Sequence, residues 1–198
     1  MRTIAVLPVK SFDAAKTRLA ADLGESQPEL AQRMAAGVLD ALCAASALDA
    51  VLVVTREPAA IARAAELRAE VVDEPELLGH SAAAARGVAR AVALGAERVL
   101  LAAGDCPLLT PADVDELLAR YDDPGVVILA DRHGTGTNGL LLSPPDAIAP
   151  AFGPGSRERH ARLADEAGVP WVVAAIEAFE LDVDTAADLA AVRAAAPR

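Results

Sequence analysis

Short apolar runs alternate with helical patterns along this chain, and that alternation constrains the fold more than any other sequence feature. Strands are predicted over residues 3–9, 51–54 and 70–73, with helices over residues 28–46 and 58–68 between them. The first two strands have apolar side chains at nearly every position, which is typical of strands buried on both faces of a parallel sheet. The β-α-β-α-β order therefore predicts a parallel sheet covered by helices on both faces and joined by right-handed crossovers.

The same pattern continues towards the end of the chain. An Ala-rich helix ends at about residue 94, strands are predicted over residues 98–103, 126–130 and 169–176, and a helix begins at Thr110. The 198 residues, of which 54% are hydrophobic, can form one well-buried domain, and no linker rich in Pro, Gly and Ser divides them. We therefore expect a single domain over residues 1–198.

The composition limits the partners that this protein can have. A formal net charge of −11 opposes binding to DNA or RNA, and an aromatic content of 3% leaves few side chains on which bases could stack. The sequence has neither a signal-peptide pattern nor an apolar stretch long enough to span a bilayer, so we expect a cytoplasmic protein with no membrane partner. Cys43 and Cys106 lack the spacing of a zinc site or of a disulfide framework.

Acidic residues stand at two positions that suit a metal ion. Asp105 follows the predicted strand 98–103, and ligands of open α/β sheets bind outside the carboxyl ends of the strands. A carboxylate there can hold a hard cation such as Mg²⁺, although Asp105 can equally well cap the next turn or helix. Asp182 and Asp184 are separated by one residue, so in an extended chain they point to opposite faces and only one would reach the same cation.

Three cations follow the first predicted strand within nine positions, namely Lys10, Lys16 and Arg18. In an acidic protein such a loop favours binding of a triphosphate, because Lys and Arg neutralise oxygens and backbone N–H groups add donors. The alternative is a solvated turn whose cations improve solubility. This loop contains neither a dinucleotide-binding fingerprint nor a P-loop.

Two helix starts and one loop offer further hydrogen-bond donors. Gly79 and Ser81 open a helix whose free N–H groups could receive a base, ribose or phosphate, although an N-cap role for Ser81 is the simpler interpretation. Residues 131–139 carry glycines and threonines that can bring donors close to a small anion. Ser156 is predicted as an N-cap.

The helix that begins at Ser156 also has basic side chains in its first turns, Arg157, Arg159 and His160. Together they could bind a phosphate or carboxylate, or form a solvated basic face. We expect His80 to face solvent and assign it no function.

Several separate stretches resemble one family when they are taken together. They are V-L-P-V-K-S-F-D-A-A-K-T-R-L, A-G-D-C-P-L-L, D-R-H-G-T-G-T-N-G-L-L, F-G-P-G-S-R-E-R-H and D-V-D-T-A-A-D-L, in that order. This arrangement is similar to the guanylyltransferases of coenzyme F(420) biosynthesis, which use 2-phospho-L-lactate or phosphoenolpyruvate as acceptor. The resemblance implies a three-layer α/β fold of the GT-A-like nucleotidyltransferase type, with a mixed, mainly parallel sheet flanked by helices.

The resemblance also implies a role for each group of candidate residues. The cations after the first strand would neutralise the phosphates of GTP and carry catalysis together with Mg²⁺, the implied cofactor. Ser81 stands where the family usually has Asn. The implied acceptor-binding residues are Thr137, Gly153 and Ser156; the metal ligands are Asp105 with Asp182 or Asp184; the nucleotide-binding residues are Lys10, Lys16, Arg18, Gly79 and Ser81.

The implied reaction is attack of an acceptor phosphate oxygen on the α-phosphorus of GTP, with release of pyrophosphate. The acceptor phosphate is already ionised at neutral pH, so catalysis requires positioning and charge stabilisation rather than a general base. The product could be handed to a deazaflavin transferase. The sequence leaves open whether the acceptor is phosphoenolpyruvate, 2-phospho-L-lactate or phosphoglycerate. Transfer to a sugar phosphate or to the molybdenum cofactor, and a non-catalytic nucleotide-binding domain, are the alternatives.

Overall fold

The computed structural model describes residues 1–12, 27–74 and 79–183, together with residues 188, 190 and 192. Lys16, Arg18 and Asp184 lie outside these residues, so their predicted roles stay predictions. The strands are β1 (Thr3–Pro8), β2 (Ala50–Val54), β3 (Glu70–Val72), β4 (Arg98–Ala102), β5 (Gly125–Ala130), β6 (Thr137–Ser143) and β7 (Trp171–Ala174). The helices are α1 (Gln27–Ala44), α2 (Pro58–Leu67), α3 (His80–Ala93), α4 (Pro111–Arg120), α5 (Ser156–Ala167) and α6 (Glu177–Glu180).

One mixed sheet with the strand order β3-β2-β1-β4-β6-β5-β7 forms the centre of the molecule. The pairs β3-β2, β2-β1, β1-β4 and β5-β7 are parallel, whereas β6 runs antiparallel to both of its neighbours. The predicted mixed, mainly parallel sheet is therefore confirmed. Among the described residues, no helix is both long and apolar enough to cross a bilayer.

Strand β1 shows why a continuous apolar run is required at the centre of the sheet. Its side chains alternate between the two faces, so that Ala5 and Leu7 pack into the core shared with α1, α2, α4 and α6. Ile4 and Val6 pack into the opposite core, which α3 and α5 cover. All four side chains are completely buried, because helices cover both faces of the sheet.

Helix α3 approaches the sheet at a glycine. A Cβ atom on Gly87 would overlap Cγ1 of Val6 and lie 2.9 Å from Cγ2 of Val54. We expect Gly87→Ala to lower the free energy of unfolding by about 1–3 kcal/mol, because two buried strands would have to shift. The matched control is Gly37→Ala in α1, where no atom lies within 4 Å of the added methyl group.

Gly37→Ala should raise the free energy of unfolding by about 0.5–1 kcal/mol, because alanine restricts the unfolded chain and favours the helix. Denaturant unfolding of both variants measures the two effects. Equal stability of Gly87→Ala and wild type would disprove the close approach of α3 to the sheet.

Helix α4 is fixed at both ends. Thr110 and Asp113 form a reciprocal capping box, which confirms the predicted start of this helix. At the other end the buried guanidinium of Arg98 donates hydrogen bonds of 3.0 Å to the carbonyl oxygens of Leu118 and Tyr121. Because Arg98 is the first residue of β4, these bonds join the end of α4 to the central strand.

Candidate functional site

A pocket of about 480 Å³ opens at one edge of the sheet. The carboxyl ends of β1 and β4 reach this edge, and antiparallel β6 begins there. The first turn of α3, one side of α1, the loop between β5 and β6 and the segment before α5 also line it. The predicted site residues that line the pocket are Lys10, Asp105, Thr137, Gly153, Ser156 and Asp182.

Three aspartates line this pocket, Asp105, Asp131 and Asp182. The predicted metal ligands among them, Asp105 and Asp182, come from distant parts of the sequence. Their segments are joined by a 3.1 Å hydrogen bond from the backbone N–H of Val183 to the carbonyl oxygen of Asp105. Across the described residues, no cluster of three or more His, Cys, Asp or Glu side chains can hold a metal by itself. Two carboxylates beside a pocket with room for phosphate oxygens suit Mg²⁺, which usually takes one or two protein carboxylates and completes its shell with water and substrate.

Asn138 holds Asp182 in place, a role that the sequence reasoning missed. Its Nδ2 donates to Oδ1 of Asp182 at 3.1 Å and to the carbonyl oxygen of Phe179 at 2.8 Å. Asn138 is the extra residue of a β-bulge, because Leu129 pairs with Gly139 while Ala130 pairs with Thr137. Bulges re-aim side chains and are frequent beside active sites.

The segment before α5 needs glycine for its path. Gly153 has φ +116° and Gly155 has φ +70°, conformations that other residues rarely adopt. Gly155 is the N-cap of α5, so the predicted N-cap role of Ser156 is wrong. Ser156 is instead the first helical residue, 1% exposed, and its backbone N–H donates to the carbonyl oxygen of Gly153 at 3.0 Å.

Of the two alternatives for the basic residues of α5, an anion site or a solvated basic face, the solvated face does not hold for His160, and Arg159 has partners within the protein. Arg159 donates to the carbonyl oxygens of Ala151 and Pro154, at 2.7 and 2.9 Å, and so braces the loop that leads into the helix. His160 is completely buried, with Nδ1 3.1 Å from Oγ1 of Thr137. Burial, and to a smaller extent the charge of Arg159, lowers the pKa of His160 to about 4.

His80 and Ser81 also differ from their predicted places. His80 lines the pocket and packs edge-on against Phe152 at 4.8 Å, so it does not simply face solvent. Burial and the nearby charge of Lys10 lower the pKa of His80, while Asp105 opposes the shift. Gly79, not Ser81, is the N-cap of α3. The Ser81 hydroxyl donates to the Phe152 carbonyl at 3.4 Å, and among the described residues neither Gly79 nor Ser81 lines the pocket.

The buried neutral ring of His160 should make the stability of the protein depend on pH. Below pH 6.5 His160 of the unfolded chain binds a proton, whereas the ring in the folded protein stays neutral down to about pH 4. The free energy of unfolding therefore falls as the pH falls from 6.5 to 4. The loss should reach about 3 kcal/mol. Denaturant unfolding of wild type and of His160→Asn at pH 7 and pH 4.5 measures this loss of stability.

The exposed His133 provides the matched control. His133→Gln should keep the full acid-dependent loss of stability, whereas His160→Asn should lose most of the part that lies between pH 6.5 and 4. His80 contributes in the same direction and is present in both variants. Identical pH dependence of His160→Asn and wild type would contradict the neutral buried ring.

A sequence model of the family described as guanylyl transferase CofC like matches residues 3–193. The chain is also 48% identical to phosphoenolpyruvate guanylyltransferase of Conexibacter woesei over 196 residues, which cover 98% of this chain and 88% of the relative. The chain belongs to this family. A second relative, phosphoenolpyruvate guanylyltransferase of Sphaerobacter thermophilus, is 37% identical over 198 residues, covering 100% of this chain and 95% of that protein.

The fold of this family member is also found among solved nucleotidyltransferases. A nucleotidyl transferase from Methanothermobacter superposes with a TM-score of 0.67 at 21% identity, covering 98% of this chain and 96% of that one. At that identity the likeness establishes the fold alone. The nucleotidyltransferase fold that the sequence predicts is therefore confirmed.

Proposed function

We propose that this chain transfers the guanylyl group of GTP to phosphoenolpyruvate and releases pyrophosphate. Relatives that share up to 48% identity over nearly the whole chain carry the name of this activity. The structural observation that supports it most strongly is that Lys10, Asp105 and Thr137, from three separate segments, line one pocket. A cation and a hydroxyl donor stabilise anionic substrates, and a carboxylate suits a divalent cation that would neutralise them further.

The donor nucleotide would lie on the side of the pocket that Lys10 and the carboxylates form. Lys10 would neutralise phosphate oxygens of GTP, and Asp105 and Asp182 would hold Mg²⁺. The ion would supply charge neutralisation of the triphosphate and of the departing pyrophosphate. Asn138 would keep the Asp182 carboxylate aimed into the pocket through its 3.1 Å hydrogen bond.

The acceptor would lie against the start of β6 and the segment before α5. Thr137 and Ser156 line the pocket with little exposure of their own, 8% and 1%, so their hydroxyl groups are held by the surrounding structure. Gly153 adds backbone without a side chain, which leaves room for a small substrate. A small phospho-carboxylic acid offers two anionic groups to such donors, and its ionised phosphate can attack without a general base.

The experiment that tests this function is a panel of acceptors assayed with GTP and with CTP in the presence of Mg²⁺. Phosphoenolpyruvate, 2-phospho-L-lactate, 2-phosphoglycerate and a sugar phosphate are compared by pyrophosphate release and by mass spectrometry of the product. A deazaflavin transferase can be added to trap the unstable diphosphate. We expect the guanylylated phosphoenolpyruvate from GTP; product from a sugar phosphate alone, or none from any acceptor, would disprove the proposal.

A further inference from the structure

A chain of hydrogen bonds leads from the backbone of Ala151 through His160 to Thr137. The N–H of Ala151 donates to Nε2 of His160 at 2.9 Å. On the other side of the ring, Nδ1 lies 3.1 Å from Oγ1 of Thr137. His160 is completely buried, so it makes both contacts away from solvent.

These hydrogen bonds determine which ring nitrogen of His160 carries the hydrogen. A backbone N–H can only donate, so Nε2 of His160 must accept and carries no hydrogen. The single hydrogen of a neutral imidazole is then on Nδ1, which donates to the hydroxyl oxygen of Thr137. The low pKa of His160 agrees with this neutral state at physiological pH.

The direction of the Thr137 hydroxyl hydrogen follows from the tautomer. Because Oγ1 accepts from His160, the hydroxyl cannot also donate to that ring, and its hydrogen has to point elsewhere. Thr137 lines the pocket, and the pocket is where an anionic acceptor oxygen would be available. A hydroxyl of Thr137 without His160 could instead rotate among several acceptors.

We propose that His160 is a positioning residue that turns the hydroxyl hydrogen of Thr137 into the pocket, where it is donated to an anionic oxygen of the acceptor. This inference rests on the proposed function, because it takes the Thr137 side of the pocket as the acceptor side. His160 does not touch the substrates and transfers no proton.

The surroundings hold the ring in the required orientation. Phe152 packs edge-on against His160, with the ring centroids 5.2 Å apart. Arg159 binds the carbonyl oxygen of Ala151 at 2.7 Å, so that both polar backbone groups of Ala151 have partners. The residues around the ring therefore help to keep Nδ1 of His160 directed at Thr137.

Two variants of His160 separate its two hydrogen bonds. His160→Asn can place an amide N–H near the position of Nδ1 and so keep the donor to Thr137. His160→Gln can place its amide oxygen near the position of Nε2 and so keep the acceptor for Ala151, while the donor to Thr137 is lost. We expect His160→Gln to raise the KM for the acceptor about 10- to 100-fold, with the KM for GTP within about 2-fold, and His160→Asn to restore most of the acceptor KM.

A double-mutant cycle tests whether His160 acts through Thr137. Thr137→Val removes the hydroxyl with little change in shape, and Thr137→Ser keeps it. In the Thr137→Val background His160→Gln should cause no further rise in the acceptor KM. A persisting effect in that background, or equal effects on the KM values of acceptor and GTP, would show a merely structural histidine and overturn the inference.

A measurement on the unmodified protein keeps the inference testable if the His160 variants do not fold. Nitrogen NMR of protein labelled in its 3 histidines reports the tautomer of each ring. We expect His160 with its hydrogen on Nδ1; a hydrogen on Nε2 would overturn the inference. If wild type guanylylates another phospho-acceptor, the proposed function fails and the same KM comparison is made with that acceptor. If wild type uses no acceptor, both proposals fail.

Discussion

Asp105→Asn should fold like wild type and lose about three orders of magnitude in the rate of pyrophosphate release from GTP and acceptor. Two unit charges about 4 Å apart attract by roughly 4 kcal/mol at an effective dielectric constant near 20, and each 1.36 kcal/mol corresponds to about tenfold in rate. The fold should persist because the hydrogen bond that joins this segment to Val183 uses the backbone carbonyl of Asp105, which the substitution keeps.

The control for this prediction is Asp146→Asn, since Asp146 is exposed and lies outside the pocket. It removes one negative charge from the same protein, so it separates the loss of a metal ligand from a general change in charge. We expect Asp146→Asn to keep wild-type turnover. Retained turnover in Asp105→Asn, measured over a range of Mg²⁺ concentrations, would refute the metal-binding role of Asp105.

Lys10→Ala should lower kcat/KM for GTP by about 10²- to 10³-fold, comparable to the loss of one preorganised group that stabilises developing charge. Lys10 lines the pocket, and after burial its positive charge is the next cause that lowers the pKa of His80, which lines the same pocket, so the field of Lys10 acts there. Removing it leaves the triphosphate less neutralised both when GTP binds and when pyrophosphate leaves.

Two comparisons make the Lys10 result specific. Lys10→Arg keeps the charge and should retain part of the activity, because the guanidinium is larger and differently directed. Arg162→Ala removes an exposed cation that pairs with Glu166 on α5, outside the pocket, and should leave kcat/KM unchanged. Equal losses in Lys10→Ala and Arg162→Ala would mean that net charge, not the position of Lys10, determines the rate.

The sequence predicted the central strands well because their burial leaves a strong pattern. A strand covered on both faces, such as β1, is apolar at nearly every position, and such runs are visible without coordinates. The predicted strand over residues 169–176 is only Trp171–Ala174 in the structure, and its first three residues are exposed. Because β7 lies at the edge of the sheet, its side chains are less buried. Its hydrophobic pattern therefore predicts the first and last residues of the strand less accurately.

The N-caps of α3 and α5 were mispredicted for a backbone reason. Serine favours the N-cap, but a glycine with positive φ lies two residues before Ser81 (Gly79, +97°) and directly before Ser156 (Gly155, +70°). Those glycines turn the chain into the helix, so each helix begins before the position that a serine cap would give it. Each serine side chain then lies inside the first turn.

The polar network behind the pocket could not be predicted because its members are far apart in sequence. His160 and Thr137 are 23 residues apart, and Asn138 and Asp182 are 44 residues apart. Nothing in the local pattern of S-R-E-R-H distinguishes a buried neutral histidine from a solvated one. Only the packing of α5 against the sheet, where it contacts β5 and β7, decides between them.

The most direct test of guanylyl transfer at this pocket follows the oxygen atoms of the acceptor. Phosphoenolpyruvate labelled with oxygen-18 in its phosphate group is incubated with GTP, Mg²⁺ and the protein, and the products are analysed by mass spectrometry. If the acceptor phosphate attacks the α-phosphorus of GTP, the guanylylated product carries all of the label and the pyrophosphate carries none. Label in the pyrophosphate, or guanosine monophosphate formed without an acceptor adduct, would contradict the proposed reaction.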